Sequence, residues 1–331
     1  LKAHDYLFGY DDPLFETYKG LSKYIYRPVP INKFGVLAMR GAETNDSTTV
    51  RTGSNDLDRI NIVTRVNGMS SLNAWDNDTC NMIDGSDGGF FPRHLLNRTN
   101  TLYLFHKDMC RKVPLVYQKD VEFQDGVMAM RFHLPANGYD TKGTCYCKGS
   151  CPPKGVFDIS PCAEGAPFLM SFPHFMNAEP KVTEFLEGLE PDPKKHDFYI
   201  DIQPMLGFTL GTVTRIQINI QVKKADNDVI LPEFKNNMIL PILWLEVTAD
   251  SLPEDLYNLI YHSSVTVKVV QQCLKWFTLA ASVLSSVCLI YFILRKAKEE
   301  KIKQTEIENN KMSPCLSSSS AKIIITNLTS V

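Results

Sequence analysis

The longest uninterrupted hydrophobic stretch of the chain lies near its C-terminal end. Residues Trp276 to Leu294 are nineteen consecutive positions without a charge, a proline or a glycine. As an α-helix this stretch rises about 28 Å, which matches the hydrocarbon core of a bilayer. The pattern predicts a transmembrane helix over 276–294. A buried core helix is the alternative, although core helices of this length usually keep a polar face.

Charges on either side of this stretch predict its orientation. Arg295, Lys296 and Lys298 follow it directly, whereas only Lys268 and Lys275 precede it closely. Cationic flanks favour the cytosolic face of a membrane. We therefore expect three further segments: an extracellular domain at 1–264, a juxtamembrane segment at 265–275 and a cytoplasmic tail at 295–331. The tail is charged and then rich in serine, which is typical of disorder.

Upstream of the hydrophobic stretch, alternation of apolar and polar residues predicts β-structure. In Thr214–Val222 the isoleucines occupy every second position and polar side chains lie between them. Strict alternation over nine residues is typical of a half-buried antiparallel strand. Shorter patterns predict six more strands, at 34–39, 60–66, 102–105, 128–134, 198–202 and 238–245. Pro241 places the last of these at an edge or a bend.

The connections between these strands are long and polar. The stretch 43–56 is expected to be a solvated loop between two strands, and Glu254–Tyr261 has the spacing of a short helix before the membrane or of simple core packing. The upstream part is therefore expected to be mainly β with some short helices. It is long enough for one large domain or two smaller ones.

Charge excludes one class of partner. Residues 1–264 hold 26 lysines and arginines against 33 acidic residues. A nucleic-acid partner requires a basic face, which this balance does not favour. No hydrophobic targeting segment precedes the first strands, so we expect the chain to be the C-terminal portion of a longer protein.

The nine cysteines divide by compartment. Six lie between Cys80 and Cys162, and the others are Cys273, Cys288 and Cys315. Six thiols outside the cytosol suit three disulfides. Zinc is the alternative, but the cluster lacks paired Cys-X-X-Cys knuckles and histidines at ligand spacing. Fifteen pairings exist for six cysteines, and spacing alone does not choose among them.

The sequence predicts no catalytic residue, metal site or cofactor. Gly85-Ser86-Asp87-Gly88 lacks the glycine that a nucleophile elbow needs two positions before the serine. The aspartates near Cys80 do not have calcium-loop spacing and fit a turn better. His174, between Pro173 and Phe175, is expected to be a packed, hydrogen-bonded histidine rather than a catalyst.

Several side chains are candidates for covalent modification. Asn45, Asn77 and Asn97 begin Asn-X-Ser/Thr sequons in the extracellular part and are predicted N-glycosylation sites. Asn327 also fits the pattern but would be cytosolic and bare. Cys288 and Cys315 are candidates for fatty acylation, without the grouping beside the membrane that would favour it.

Six sequence blocks resemble one family. They occur in order at Trp75–Pro92, with Cys80-Asn-Met-Ile-Asp84-Gly; at Cys145-Tyr-Cys147; at 155–162; at 171–175; at 201–210; and at 240–245. The chain is similar to the class B scavenger receptors from about Tyr6 to the hydrophobic stretch. The resemblance implies the disulfides Cys80–Cys145, Cys110–Cys162 and Cys147–Cys151.

The resemblance also implies a fold. Members of the family have a β-rich, antiparallel, barrel-like body with an apolar tunnel, and a helical apex that would precede Leu1. Candidates for the tunnel wall or the core, with core the more ordinary role for any one of them, are Phe172, Phe175, Phe208, Ile216, Ile218, Ile220 and Val222.

A function follows from the resemblance as an expectation. The chain would belong to a plasma-membrane receptor that binds lipoproteins, modified lipids, fatty acids or apoptotic-cell ligands and takes them up. One alternative is an adhesion or microbial-recognition receptor that moves no lipid. Another is a lysosomal membrane sorting receptor, which the C-terminal sequence favours less because it lacks an acidic-dileucine ending. Homo-oligomerisation stays open.

Overall fold

The computed structural model describes residues 2–22, 24, 32–35, 37–38, 46–163, 165–222, 224, 234–249 and 251–312. The chain forms two compact units, Leu1–Glu254 and Asp255–Val331. Ten strands lie in the first unit: β1 Thr48–Val50, β2 Val63–Val66, β3 Leu102–His106, β4 Arg111–Glu122, β5 Met128–His133, β6 Val156–Asp158, β7 Phe168–Ser171, β8 Tyr199–Ile202, β9 Thr209–Gln221 and β10 Ile239–Ala249.

Eight of these strands form one antiparallel sheet. Its order is β3-β4-β5-β8-β9-β7-β6, and β10 pairs with β9. Strands β1 and β2 form a separate two-stranded sheet. The predicted mainly β, antiparallel fold with short helices is confirmed.

Strand β9 is the centre of the large sheet. One edge pairs with β10 along most of its length. The other edge is shared, because β8 pairs with its first half and β7 with its second half. Strand β10 has a register irregularity between Pro241 and Leu243, which agrees with the bend that Pro241 predicts.

The two faces of β9 differ from the simple expectation of one buried and one solvated face. Gln217 is 3% exposed and Asn219 is 0% exposed, whereas Ile216 and Ile220 are only half-buried. The amides are therefore in the interior, where their polar atoms require hydrogen-bond partners.

The main core lies against the large sheet. Its largest fully buried side chains are Phe91, Phe132, Phe157 and Phe172. A second cluster contains Val156, Leu169, Phe175, Val182 and Ile239. A third joins β2 to Phe105 and Ile83. Burial of one large side chain of this kind stabilises a fold by about 1.5–3 kcal/mol.

The helices of the first unit are short: α1 Ala3–Phe8, α2 Pro13–Ser22, α3 Asp78–Asn81, α4 Pro180–Thr183 and α5 Pro193–His196. Proline begins α2, α4 and α5, where the missing N–H costs nothing. Gly207 permits a close approach between two loops. Its φ is +80°, and a Cβ there would lie 2.1 Å from the carbonyl oxygen of Phe91.

The described part of the second unit, up to Met312, is helical. Helix α6 covers Glu254–Tyr261, a π-helical turn covers His262–Thr266, and α7 covers Val267–Met312. The short helix expected before the membrane is α6. Together these elements form a continuous helix, Glu254–Lys311, that is long and apolar enough to cross a membrane.

Three expectations need correction. Strand β1 lies inside 43–56, which was expected to be a loop, because Thr48–Val50 pairs with Val63–Val66. Strands β4, β6 and β7 have no counterpart among the predicted strands, and of the strand predicted at 34–39 the described residues form only a single bridge, between Phe34 and Tyr10. The expected disorder of the tail is wrong for 295–312, which continues α7. This segment alternates basic and acidic side chains, and Arg295 lies 3.2 Å from Glu299 one turn later.

Candidate functional site

A disulfide frame holds the connections around the main core. The structure joins Cys80 to Cys145, Cys110 to Cys162 and Cys147 to Cys151, with Cα–Cα distances of 5.8, 5.9 and 5.3 Å. These are the pairs that the family resemblance implies. Helix α3 carries Cys80, and the turn before β4 carries Cys110. The frame therefore joins the β2–β3 connection to the β5–β6 connection, and the turn before β4 to the β6–β7 connection.

Trp75 and Arg111 form the interior of this frame. The Trp75 indole Nε1 donates a hydrogen bond to the Cys110 carbonyl oxygen at 2.7 Å. The Arg111 guanidinium lies 4.6 Å from the ring centroids of both Tyr146 and Phe157. Burial lowers the pKa of Arg111, and two nearby tyrosines partly oppose that shift. Cation–π contacts thus replace part of the lost hydration of this buried charge.

The serine and histidine considered for catalysis have structural partners. The Ser86 hydroxyl donates to the Phe90 carbonyl and accepts from the Gly88 N–H, which orders the loop. The backbone N–H of His174 donates to Gln217 Oε1 at 2.8 Å. Within the part of the chain that the structure describes, no group of three histidine, cysteine or acidic side chains could hold a metal ion.

The candidate wall residues do not form one continuous surface. Phe172 is fully buried in the main core, 4.9 Å from the ring of Tyr139, and Ile216 packs against the same cluster. Phe175 belongs to the second cluster. Ile218 is buried, whereas Ile220 and Val222 are half-buried.

Phe208 has a different environment from the other candidates. It is half-buried, and its ring stacks edge-on with that of Phe90 at 4.8 Å. Phe90 is 36% exposed and Leu206 is 41% exposed. We call Phe90 and Phe208 the aromatic patch. This apolar patch is partly accessible to solvent, whereas Phe172 is fully buried.

Two of the predicted glycosylation sites lie in described turns. Asn77 is exposed and caps α3 by accepting from the Thr79 N–H. Asn97 is half-buried and accepts from the N–H groups of Thr99 and Asn100. Asn45 and Asn327 lie outside the described residues.

Of the cysteines proposed for acylation, Cys288 is free and exposed on α7. Cys315 lies outside the described residues. Cys273 is also free and exposed on α7, before the predicted membrane span.

Sequence reasoning missed several polar residues that organise this region. Ser171, Gln217 and Asn219 form a buried hydrogen-bonded network between β7 and β9. The signal in the sequence was two amides at alternate positions of a strand. Their burial depends on the strands on both sides, which the local sequence does not specify.

Comparison with known proteins identifies the family. A family model described as the CD36 family matches residues 1–293. The chain belongs to the CD36 family. Lysosome membrane protein 2 of Rattus norvegicus is 34% identical over 247 residues, which are 73% of this chain and 50% of that protein.

Two further relatives of this CD36-family chain carry a receptor name. Scavenger receptor class B member 1 of Rattus norvegicus is 33% identical over 248 residues, covering 72% of this chain and 47% of that protein. The Bos taurus protein of the same name is 30% identical over 302 residues, covering 88% and 57%. The resemblance to class B scavenger receptors is confirmed. The chain spans about half the length of the curated relatives it matches.

Proposed function

We propose that this CD36-family chain acts in a class B scavenger receptor of the plasma membrane. The observation that carries the proposal is the family match over residues 1–293. In this proposal residues 1–264 form an extracellular domain, 265–275 lie next to the bilayer, 276–294 cross it, and 295–331 are cytoplasmic. The receptor binds lipoproteins, modified lipids, fatty acids or apoptotic-cell surfaces and takes lipid into the cell.

The second unit supports the membrane part of this proposal. Uncharged, mostly apolar side chains cover residues 276–294 of α7 all round, and Trp276, Leu284 and Leu294 are each at least 60% exposed. Water would make this exposure costly, whereas lipid would cover it. The basic residues after Leu294 favour the cytosolic face for that end.

The aromatic patch supports the lipid part. An acyl chain leaves an apolar environment at a cost of about 0.8 kcal/mol per CH₂ group. Partly exposed rings such as Phe90 and Phe208 offer an apolar contact that reduces this cost. The buried aromatics Phe172 and Phe175 instead stabilise the domain that presents the patch.

A lysosomal location is the second candidate, because a relative with 34% identity is named Lysosome membrane protein 2. A receptor for adhesion or microbial surfaces that moves no lipid is a further alternative. The three proposals differ in where the protein is found and in what it transfers.

Lipid uptake tests the proposal. Cells that express the full-length protein are given lipoprotein loaded with a fluorescent cholesteryl ester, and surface protein is measured in parallel. We expect uptake above vector control, and we expect Phe208→Gln to reduce it at equal surface expression. Phe185→Gln is the matched control, since Phe185 is 43% exposed elsewhere on the domain.

Each alternative has its own result in this experiment. No uptake above vector control, with surface expression confirmed, would remove lipid transfer and leave the adhesion reading. Staining confined to acidic intracellular compartments, with little protein at the surface, would favour the lysosomal reading.

A further inference from the structure

Two histidines from distant parts of the chain stack face to face beside β9. The rings of His174 and His196 have centroids 4.5 Å apart and an interplanar angle of 13°. His174 lies in a turn after β7, and His196 is the last residue of α5. His196 is 4% exposed. We call this pair the histidine stack.

Backbone hydrogen bonds define the protonation state of both rings. His174 Nδ1 accepts from the Glu190 N–H at 3.2 Å, and His196 Nδ1 accepts from the Asp192 N–H at 3.0 Å. An acceptor nitrogen carries no proton, so both rings are neutral with the proton on Nε2. The same assignment leaves neither ring with a free lone pair for a metal ion.

Protonation is therefore incompatible with the stack. A proton on either Nδ1 would remove the acceptor for a backbone N–H and set two N–H groups against each other. A proton on both rings would also place two positive charges about one ring thickness apart in a partly buried site. Burial, followed by His174, lowers the pKa of His196, and Asp192 opposes that shift.

The surroundings of the stack do not supply a dominant counter-charge. On its own segment His196 has Asp192 and Lys195, and on β9 it faces Arg215. Arg215 is already paired with Glu246 of β10 at 2.6 Å. From β10, the Trp244 ring contacts the edge of His196 at 5.9 Å.

One neighbouring histidine acts in the opposite direction. His133 Nδ1 lies 3.3 Å from Asp197 Oδ2, so a proton on His133 strengthens that contact. Acid therefore has two effects on the segment. Protonation of the histidine stack favours opening, and protonation of His133 opposes it, so the net response is the difference between these two effects.

We propose that the histidine stack is an acid-sensitive latch, which holds the segment 188–197 against the sheet at neutral pH and releases it when the rings are protonated. The latch lies next to the interior, because the backbone N–H of His174 donates to Gln217 Oε1 of the buried network. Opening therefore exposes one end of the β7–β9 network to water.

The sign of the pH dependence follows from the neutral closed state. The open segment binds protons with the ordinary histidine pKa of about 6.5, whereas the closed stack does not. Closing is favoured above that pH and is progressively lost below it. Carboxylates remain largely ionised at about pH 5.5, so they contribute little to the change in this range.

Hydrogen–deuterium exchange of the full chain in lipid nanodiscs tests the latch. Peptides covering 188–197 are compared at about pH 7.4 and pH 5.5, with rates corrected for intrinsic exchange. Titration of one histidine near pKa 6.5 raises the opening equilibrium about tenfold over this interval, and two histidines raise it more. Peptides from β4 serve as the internal reference and should not change.

The variant that separates this proposal from general acid lability is His174→Asn with His196→Asn. Asparagine Oδ1 can accept the same backbone N–H groups but does not titrate, so the acid-induced opening of 188–197 should disappear and only the opposite effect of the His133–Asp197 contact should remain. His94→Asn is the control, because His94 is exposed and lies beside Asp58 on another part of the domain. It should keep the full response.

Three results would overturn the latch. One is equal protection of 188–197 in the wild-type protein at both pH values. Another is an unchanged acid response in the double asparagine variant. The third, which decides if that variant does not fold, is a nitrogen-15 NMR spectrum of histidine-labelled wild-type protein in which His174 and His196 are not neutral Nε2–H tautomers at neutral pH.

Discussion

At the residue scale, the buried amides of β9 show how a polar side chain can belong to the core. Gln217 Nε2 donates to Asn219 Oδ1 at 2.8 Å, and Asn219 Nδ2 donates to Ser171 Oγ at 3.0 Å. Gln217 Oε1 accepts from the His174 N–H. Each of these polar groups exchanges its hydrogen bonds to water for hydrogen bonds inside the domain, which offsets the free-energy cost of burial. Removing one member should therefore destabilise the domain.

We expect Asn219→Ala to lower the free energy of unfolding by about 1–3 kcal/mol, because it removes from the buried network the Oδ1 acceptor of Gln217 Nε2 and the Nδ2 donor to Ser171 Oγ. The measurement is chemical denaturation of the purified protein followed by intrinsic fluorescence. Gln221→Ala is the matched control, since this amide lies two positions later on the same strand and is only half-buried. Its effect should stay within about 0.5 kcal/mol. Equal losses in the two variants would contradict the role of the network.

At the element scale, α7 is the clearest case in which local composition specifies a structure. Its apolar run forms a helix without help from other elements, because lipid would leave no other partner for the backbone. The helix also continues to Met312 through a charged segment. Strand β4 is the opposite case. It begins with the buried Arg111 and includes Pro114, and neither residue is typical of a strand. Pairing with β3 and β5 stabilises the strand nevertheless.

We expect Leu284→Arg combined with Val287→Arg to abolish membrane integration of α7. Each arginine costs about 2.5–3.5 kcal/mol near the centre of a spanning helix. The measurement is glycosylation of an acceptor sequon appended after residue 331. The wild-type appended sequon should stay bare on the cytosolic side, and the double variant should acquire glycan.

The control for this prediction lies on the same helix. Ile302→Arg with Ile307→Arg changes two exposed apolar residues beyond the predicted span. The appended sequon should remain bare in that variant. Glycan on the appended sequon of the wild-type protein would show that the orientation is reversed.

At the scale of the whole molecule, the disulfides connect segments that the sheet alone does not hold together. Cys80 and Cys145 are 65 residues apart, whereas Cys147 and Cys151 are 4 apart. Closing a longer loop removes more conformational freedom from the unfolded chain. The two bridges should therefore differ in their contribution to stability.

We expect Cys80→Ala with Cys145→Ala to cost about 4 kcal/mol of unfolding free energy, and Cys147→Ala with Cys151→Ala to cost about 2 kcal/mol. Denaturant titration of the purified variants gives both values. Mass spectrometry of non-reduced peptides checks the pairing first. A peptide that links Cys145 to any cysteine other than Cys80 would contradict the frame.

The sequence by itself determined the elements whose stability is local. The hydrophobic stretch predicts a helix of membrane length, and the alternation of 214–222 predicts β9, because in each case the side-chain period matches one backbone geometry. The family motifs carried the cysteine pairing, which periodicity could not choose.

Only the tertiary structure decided which faces are buried and which distant residues meet. Gln217 and Asn219 meet Ser171 because β7 pairs with β9, and His174 meets His196 because a turn and a short helix come together beside that strand. Such contacts depend on the packing of segments far apart in the chain, and a local pattern contains no information about its partner. For this protein, a helix of membrane-spanning length could therefore be predicted from composition, whereas the buried network and the histidine stack could not.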